Sequence, residues 1–377
     1  MALTLTLASK NLFHDSLRFV ATMVGIVFSV VLVMVQLGLY LGFGQMVTTM
    51  IDHASADLWI VPKNAKSFED PSLLDLKLRT RVAGLDGIAT VVPLVLGFSD
   101  WRLDTGEMTP VFIVGTDQHD GALQPWNVVD GNVQALSQGF GVAVDRTYFD
   151  RLGVTGIAST AEIRGKKVKV VALTDGIRSF TTTPYVFVDL KNARSLTGTP
   201  PDRVSDLLVR LKGDADRDKA VGAIRAEIGD ADVLTTAEFR ERSRSFWLFG
   251  TGAGAALFAG ALLGVIVGTV IVAQTLYSST KDHLSEFATL RAMGSANSYI
   301  YHVIIYQALI NAVIGFAFAS AIGALVVQMT AKSALPIVIT PWLITALAAL
   351  TVVMCVISAF GAIFRVVRID PAMVFMR

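Results

Sequence analysis

The side chains best placed for chemistry lie in a short charged stretch between two long apolar runs. In YSSTKDHLSEFATLRAMGSANSYI, residues 277–300, the charged groups are Lys281, Asp282, Glu286 and Arg291. Asp282 and Glu286 are four residues apart, which places both carboxylates on one face of a short helix. Such a face can fit a groove on another protein through charged contacts. A solvated connecting helix is the alternative interpretation of the same residues.

Motifs for catalysis or nucleotide binding are absent from the sequence. No G-x-x-x-x-G-K-[ST] loop, H-E-x-x-H motif or G-x-S-x-G motif occurs. The five histidines, such as His53 and His119, lack ligand spacing, and the single cysteine, Cys355, lies inside an apolar run. We therefore expect no metal, no cofactor and no catalytic residues in this chain.

The apolar runs contain amide side chains, but no Asp, Glu, Lys or Arg lies well inside them. The amides are Gln36, Gln274, Gln307, Asn311 and Gln328. Ion-coupled transporters need buried ionisable groups, whereas amides are typical of hydrogen bonds between membrane helices. If the chain moves a substrate, the energy must come from a partner.

Glycines recur at four-residue spacing in two of these runs. One run contains Gly260, Gly264 and Gly268, and another contains Gly38 and Gly42. This spacing places small residues on one helix face and allows close helix contact in lipid. Packing within one subunit, a subunit interface and a sliding seam all fit the pattern.

The composition identifies an integral membrane chain. Its 377 residues are 53% hydrophobic and only 17% charged, with a mean hydropathy of +0.57. The net charge of +1 gives no reason to expect a nucleic-acid partner. Four uncharged runs are each long enough for a helix to cross about 30 Å of hydrocarbon. The charged residues are concentrated between the first run and the second.

These runs divide the chain into four spans and one large inserted domain. We predict an interfacial helix (1–18), four membrane helices (19–51, 245–280, 292–331 and 333–364), an extracytoplasmic domain (52–244), a polar helix (281–291) and a tail (365–377). Lys and Arg counts favour cytoplasmic termini. Arg240, Arg242 and Arg244 oppose that orientation, but large domains translocate with little regard to their charge.

The inserted domain has the signals of an α+β fold. Strands are predicted at 57–62, in IATVVPLVLGFSDWRL and TPVFIVGTD, at 204–212 and in ADVLTTAEF, with helices at 71–85 and 214–230. The first and last parts therefore share a strand–helix–strand order. We predict two βαβ-like halves interrupted by a β-rich insert at about 119–200.

The stretch STKDHLSEFATLRAMGSANSYIYHVIIYQALI resembles the segment between spans 2 and 3 of FtsX-like, MacB-type (type VII) ABC transporter permeases. In that family the stretch has the form (R/K)-x-x-E-x-x-x-L-R-A-x-G, which Glu286, Leu290, Arg291, Ala292 and Gly294 match. The one-plus-three layout of spans and the tail RVVRIDPAMVFMR agree with it. NLFHDSLRF, GLYLGF, ADLWIV and VVPLVLGFSDWR are most similar to the DevC branch of the family.

The resemblance implies a role for each part of the chain. The cytoplasmic helix would dock on a separate ABC ATPase, which binds ATP and Mg, through residues that include Lys281, Asp282, Glu286, Leu290, Arg291 and Gly294. The permease would be a homodimer in the bacterial inner membrane, with a periplasmic domain. The DevC-like features imply a membrane fusion protein, an outer-membrane duct and an amphiphilic or lipid-linked cargo. An FtsX-like transducer that activates an extracellular cell-wall hydrolase remains the alternative.

Overall fold

The computed structural model describes residues 9, 12, 16–103, 105–117, 121–282, 289, 297–331, 333 and 335–367. The described residues divide into two compact units. The helical unit comprises Met1–Gly42, Ala255–Ala331 and Pro336–Arg377. The α+β unit comprises Phe43–Gly254 with Lys332–Leu335.

In the part of the chain that the structure describes, one long apolar helix precedes the strands and three follow them, and the short helices lie between or beside the strands. The helices are α1 (Ser16–Met46), α2 (Thr49–His53), α3 (Lys77–Ala83), α4 (Phe149–Leu152), α5 (Leu190–Thr197), α6 (Arg217–Glu227), α7 (Thr236–Ser245), α8 (Ala253–Asp282), α9 (Asn297–Thr330) and α10 (Pro341–Val367). Short 3-10 turns occur at Val133–Ser137 and Arg146–Tyr148. A π-helical turn at Phe246–Gly250 follows α7.

Four of these helices, α1, α8, α9 and α10, are long and apolar enough to cross a membrane. Their core is formed by residues such as Ile26 and Val30 of α1, Val272 of α8 and Ile304 of α9. Large apolar side chains on the opposite faces, such as Phe258 and Phe318, are exposed. Lipid is the medium that suits such faces, because it solvates apolar side chains as well as a protein core does.

Three spanning helices, α1, α8 and α10, have bounds that differ from the predicted ones. The first was predicted at 19–51, but α1 ends at Met46 and α2 forms a separate turn. The last was predicted at 333–364, but α10 begins at Pro341. The second was predicted from residue 245, but α8 begins at Ala253. Gly252 has a φ of +77°, a left-handed conformation that glycine adopts at little cost and that ends regular helix. Uncharged residues alone could not indicate this interruption.

The α+β unit is built on one large, mostly antiparallel sheet. Its strands are β1 (Leu58–Pro62), β3 (Ile88–Arg102), β4 (Met108–Thr116), β5 (Val128–Gly131), β6 (Gly141–Asp145), β7 (Thr160–Ile163), β8 (Lys166–Thr174), β9 (Tyr185–Asp189), β11 (Asp206–Leu211) and β12 (Ala231–Thr235). Two further strands, β2 (Leu74–Asp75) and β10 (Arg203–Val204), pair with each other. The order across the large sheet is β12-β1-β11-β3-β4-β9-β6-β8-β5, with β7 joined to β3 and β8.

The two ends of the inserted sequence interlock in this sheet. β11 lies antiparallel between β1 and β3, and β1 lies antiparallel between β11 and β12. Each strand–helix–strand half therefore has a strand of the other half between its own two strands. β3 then continues past β11 and pairs with β4 from Val95 onward. β9, β6, β8 and β5 extend the sheet beyond β4, in that order.

Both faces of the sheet are covered, which explains why its strands are so apolar. One face packs against α3, α5 and α6 through residues such as Val82, Leu196 and Ile224. The other packs against α2, α7 and the segment 63–73 through Ile51, Phe239 and Phe68. The strands of a sheet that is buried on both sides have continuous hydrophobic sequences rather than alternating hydrophobic and polar residues.

Candidate functional site

The predicted partner-binding stretch lies mostly outside the described residues. Lys281 and Asp282 form the end of α8, and the Lys281 side chain is exposed. Glu286, Leu290, Arg291 and Gly294 are outside the described residues. The predicted face that combines Asp282 with Glu286 therefore stays a prediction.

The glycine ladder of α8 faces α1 within the same chain. A Cβ atom on Gly260 would lie 2.7 Å from Nε2 of Gln36, and one on Gly264 would lie 2.9 Å from Cγ2 of Val33. A Cβ on Gly268 would overlap the Ser29 side chain. The Ser29 hydroxyl also donates a hydrogen bond of 2.5 Å to the carbonyl oxygen of Gly264. The two helix backbones approach closely because these positions have no side chain.

Gly38 and Gly42 of α1 face a different neighbour, the segment that precedes α10. A Cβ on Gly38 would lie 2.5 Å from Cγ2 of Ile337, and the amide of Val338 donates to the Gly38 carbonyl oxygen at 3.2 Å. A Cβ on Gly42 would lie 2.6 Å from the carbonyl oxygen of Pro336. The two glycine sets thus serve separate contacts of α1.

Sequence analysis missed a third glycine contact of α1. Gly315 and Gly323 of α9 lie against Ile26 and Met34 of α1. Their eight-residue spacing, about two helical turns, is a signal that a search for four-residue spacing passes over. α1 is therefore packed through glycines against α8, α9 and the segment before α10.

One amide of the helical unit is buried without a partner. Asn311 of α9 is 1% exposed, and neither its Nδ2 nor its Oδ1 atom has a hydrogen-bond partner among the described residues. Gln307, one turn earlier, is also buried. The hydrogen bonds between helices that we expected from the amides are therefore absent at Asn311.

Ionic contacts of α7 connect three parts of the α+β unit. Nε of Arg240 lies 2.5 Å from Oδ1 of Asp52, at the end of α2. Nη1 of Arg242 lies 2.6 Å from Oδ2 of Asp232 in β12. Thr235 and Glu238 form a capping box at the start of α7. Residues 236–239 of the predicted strand ADVLTTAEF are therefore helical, and the strand ends at Thr235.

Three aromatic side chains meet next to the last residues of α1. The ring of Phe180, from the loop between β8 and β9, is 5.3 Å from the ring of Phe43 and 4.3 Å from that of Trp247. Phe43 belongs to α1, and Trp247 belongs to the π-helical turn that leads to α8. We call Phe43, Phe180 and Trp247 the aromatic cluster.

A buried acid–phenol pair joins the segment 63–73 to the first residue of β9. The Tyr185 hydroxyl donates a hydrogen bond of 2.6 Å to Oε1 of Glu69, which is 8% exposed. Burial raises the pKa of Glu69 from 4.5 to about 7, although the bond from Tyr185 lowers it. Burial, followed by the nearby charge of Asp70, raises the pKa of Asp206 well above its usual range. Among the described residues, no group of His, Cys, Asp or Glu side chains could hold a metal ion.

Comparison with known families accounts for nearly the whole chain. The family described as MacB-like periplasmic core domain matches residues 19–227, and the family described as FtsX-like permease C-terminal matches residues 256–371. The first match alone spans more than half of the sequence. The chain therefore belongs to the MacB/FtsX-type ABC transporter permeases, a class of inner-membrane protein with a periplasmic domain. A permease of this class is a non-catalytic transmembrane subunit that works with an ATPase.

Similar proteins have been found both by sequence and by structure. Two Mycobacterium tuberculosis proteins, the uncharacterized ABC transporter permeases MT0078 (strain CDC 1551 / Oshkosh) and Rv0072 (strain ATCC 25618 / H37Rv), are each 24% identical over 376 residues, covering 95% of both chains. The periplasmic region of MacB from Actinobacillus actinomycetemcomitans aligns with a TM-score of 0.39 and 9% identity, over 50% of this chain and 92% of that one. The extracellular domain of the transporter YknZ from Gram-positive bacteria aligns with a TM-score of 0.35 and 15% identity, over 48% and 99%.

Proposed function

We propose that this chain is the permease of an ATP-driven exporter, which transmits the motion of a separate ATPase to the periplasmic domain. The observation that carries the proposal is the match of residues 19–227 to a MacB-like periplasmic core domain. ATP and Mg would bind to the partner ATPase, because this sequence has no P-loop. Both termini and the polar helix at 281–291 would face the cytoplasm, where the ATPase is.

The packing of α1 supports transmission of motion rather than passage through a central channel. α1 contacts its neighbours at glycine positions, where one of the two facing residues has no side chain. Helices in such close contact can shift along one another as packed units, which is one recurrent form of conformational change. The spans would then convert movement at the ATPase into movement of the periplasmic domain.

A homodimer is the assembly that we propose for this permease. The outward face of α1 exposes Leu17, Val24 and Phe28. Together with Phe318 and Ile322 of α9, the face of α1 lines an apolar groove of about 690 Å³. An apolar helix face with a groove beside it suits packing against a helix of a second copy.

The resemblance to the DevC branch supports export rather than signalling. It implies a membrane fusion protein docked on the periplasmic domain, an outer-membrane duct, and an amphiphilic or lipid-linked cargo. The FtsX-like alternative would replace the fusion protein by a cell-wall hydrolase. The two functions therefore differ in the periplasmic partner.

Purification of the chain from native membranes after mild cross-linking tests the proposal. We expect mass spectrometry to identify an ABC ATPase together with a membrane fusion protein. An ATPase together with a cell-wall hydrolase would support the signalling alternative instead. Recovery of the chain without any ATPase would contradict both functions.

A further inference from the structure

Arg244 is a partly buried guanidinium that has no polar partner among the described residues. Its Nε and Nη2 atoms lie 3.4 and 3.6 Å from the position that a Cβ atom on Gly44 would occupy. The other two arginines of α7 are each paired with an aspartate, Arg240 with Asp52 and Arg242 with Asp232. A partly buried charge without a counter-charge is costly. Arg244 is thus the arginine of α7 that lacks an anion.

Arg244 is adjacent to the aromatic cluster. It precedes Trp247 by three residues on a helical path, so the two side chains are neighbours one turn apart. Gly44, against which Arg244 lies, directly follows Phe43. Tryptophan and other aromatic side chains are typical of the level at which spanning helices leave the hydrocarbon. The cluster contains Phe43, near the end of α1, and Trp247, in the turn that precedes α8, so we place Arg244 near that level.

Two further guanidiniums are associated with the loop between β8 and β9: Arg178 lies within the loop, and Arg151 of α4 contacts it. Nε of Arg178 donates to Oγ1 of Thr147 at 3.4 Å, and Nη1 of Arg151 donates to the carbonyl oxygen of Thr182 at 2.6 Å. Within the described part of the chain, neither arginine forms a salt bridge with a carboxylate. Both arginines lower the pKa of Tyr148, although burial raises it overall, so both charges act on the same small region.

The loop that carries Phe180 is held in a fixed shape. Thr182 adopts a φ of +59°, which is strained for a β-branched residue. The backbone amide of Ser179 donates to the Tyr148 hydroxyl at 3.1 Å. Two arginines therefore belong to or contact the loop that carries Phe180, whose ring packs against Phe43 and Trp247.

We propose that Arg244 binds the phosphate of an anionic lipid in the extracytoplasmic leaflet, with Arg178 and Arg151 adding positive charge near the aromatic cluster. Guanidinium groups bind phosphate oxygens through paired hydrogen bonds. The partly exposed rings of Phe43 and Trp247, which pack over the buried ring of Phe180, would contact the glycerol and upper acyl region of the same lipid. A membrane lipid is favoured over a soluble phosphate because the cluster is continuous with helices that cross the membrane. The inference does not depend on the proposed export function.

Native mass spectrometry of the full chain, released from micelles that contain defined lipids, tests this site. We expect wild-type protein to retain phosphatidylglycerol in preference to phosphatidylethanolamine. Arg244→Gln should lower phosphatidylglycerol retention at least fivefold, and Arg178→Gln at least twofold. Lys219→Gln, which removes an exposed charge of α6, is the matched control and should have no effect.

Several outcomes would overturn the proposal. Equal phosphatidylglycerol retention by wild type and Arg244→Gln would show that Arg244 binds no lipid. Equal retention of phosphatidylglycerol and phosphatidylethanolamine by the wild type would show that the site does not select an anionic headgroup. Displacement of the lipid by millimolar inorganic phosphate would indicate a soluble anion as the ligand. If Arg244→Gln does not fold, the double variant Arg151→Gln/Arg178→Gln takes its place. The double variant should then lower phosphatidylglycerol retention at least fivefold, and unchanged retention would overturn the proposal.

Discussion

Glu69 shows how a residue in a polar segment can become part of a core. In sequence, KSFEDPS has the composition of an exposed loop. In the structure Glu69 is buried against Tyr185, 116 residues later in the chain. Local composition could not predict this burial, because it depends on a strand in a distant part of the sequence. The strand itself, β9, lies in the segment that was predicted to be a β-rich insert.

The raised pKa of Glu69 predicts a domain that loses stability as the pH rises. The neutral acid is favoured in the folded state, so its contribution is complete below pH 4.5 and is lost as the pH approaches 7. The loss from this one group is about 3 kcal/mol, at 1.36 kcal/mol for each unit of pKa shift. Asp206, whose pKa is also raised, should act in the same direction.

Glu69→Gln should remove the part of this pH dependence that comes from Glu69 and leave the part that comes from Asp206, because the amide does not ionise but can still accept a hydrogen bond from Tyr185. Chemical denaturation of the full chain in detergent, followed by the fluorescence of buried Trp59 and Trp101, measures the effect at pH 5 and pH 8. Glu107→Gln, at an exposed position, is the control and should behave like wild type. An unchanged difference between the two pH values in Glu69→Gln would rule out Glu69 as its source.

Glu286 is the residue through which ATPase coupling can be tested. Reversing a charge in a contact covered by a partner costs about 2 to 5 kcal/mol, which is roughly 30-fold or more in affinity. Glu286→Lys should therefore weaken co-purification of the ATPase, or uncouple ATP hydrolysis from transport, while the chain still inserts and folds. Reversal at exposed Glu107 is the control. If assembly, hydrolysis and transport are all unchanged in Glu286→Lys, the stretch is a solvated connecting helix and does not bind the ATPase.

At the scale of elements, α1 is the helix against which the other spans pack. The four-residue glycine spacing predicted helix faces capable of close contact, and the structure provides a neighbour for each of them. The sequence could not identify those neighbours, because a small-residue face has no side chain that specifies its partner. The same glycine spacing is compatible with a contact within the subunit and with a contact between subunits.

Gly268→Leu should destabilise the helical unit. A Cβ atom there would overlap Ser29 and lie 2.7 Å from the sulfur of Met354, so both helices would have to move. Overpacking of this kind costs about 1 to 3 kcal/mol. The matched control is Gly361→Leu in α10, where a Cβ would meet no atom within 4 Å. Thermal stability in detergent should fall for Gly268→Leu only. Equal thermal stability of the two variants would contradict the close contact of Gly268 with Ser29 and Met354.

Secondary structure was easier to predict than element boundaries. The helix predicted at 214–230 appears as α6, with Asp216 as its N-cap and Ile224 buried. The helix predicted at 71–85 is shorter, because β2 occupies Leu74–Asp75 and α3 begins at Lys77. Pairing of β2 with β10 decides that boundary, and such pairing depends on residues far along the chain.

At the scale of the whole molecule, orientation in the membrane is the main property to be tested. Thiol labels at exposed Asp214→Cys and Ser298→Cys, each in a Cys355→Ser background, report on opposite sides of the membrane. An impermeant reagent should label Asp214→Cys in intact cells and reach Ser298→Cys only after the membrane is opened. The parent Cys355→Ser chain is the unlabelled control. Labelling of Ser298→Cys alone in intact cells would reverse the proposed topology.

The interlocked ends of the inserted domain also determine when it can fold during synthesis. β1 is one of the first parts of the inserted domain to leave the ribosome. The two strands that pair with β1, β11 and β12, are among the last. At 5 to 20 residues per second, roughly 10 to 35 seconds separate β1 from β12 on the ribosome. Throughout that interval β1 has exposed hydrogen-bonding edges and the apolar sequence LWIVP. A nascent chain of this design should need a chaperone on the far side of the membrane until Thr235 has been translocated.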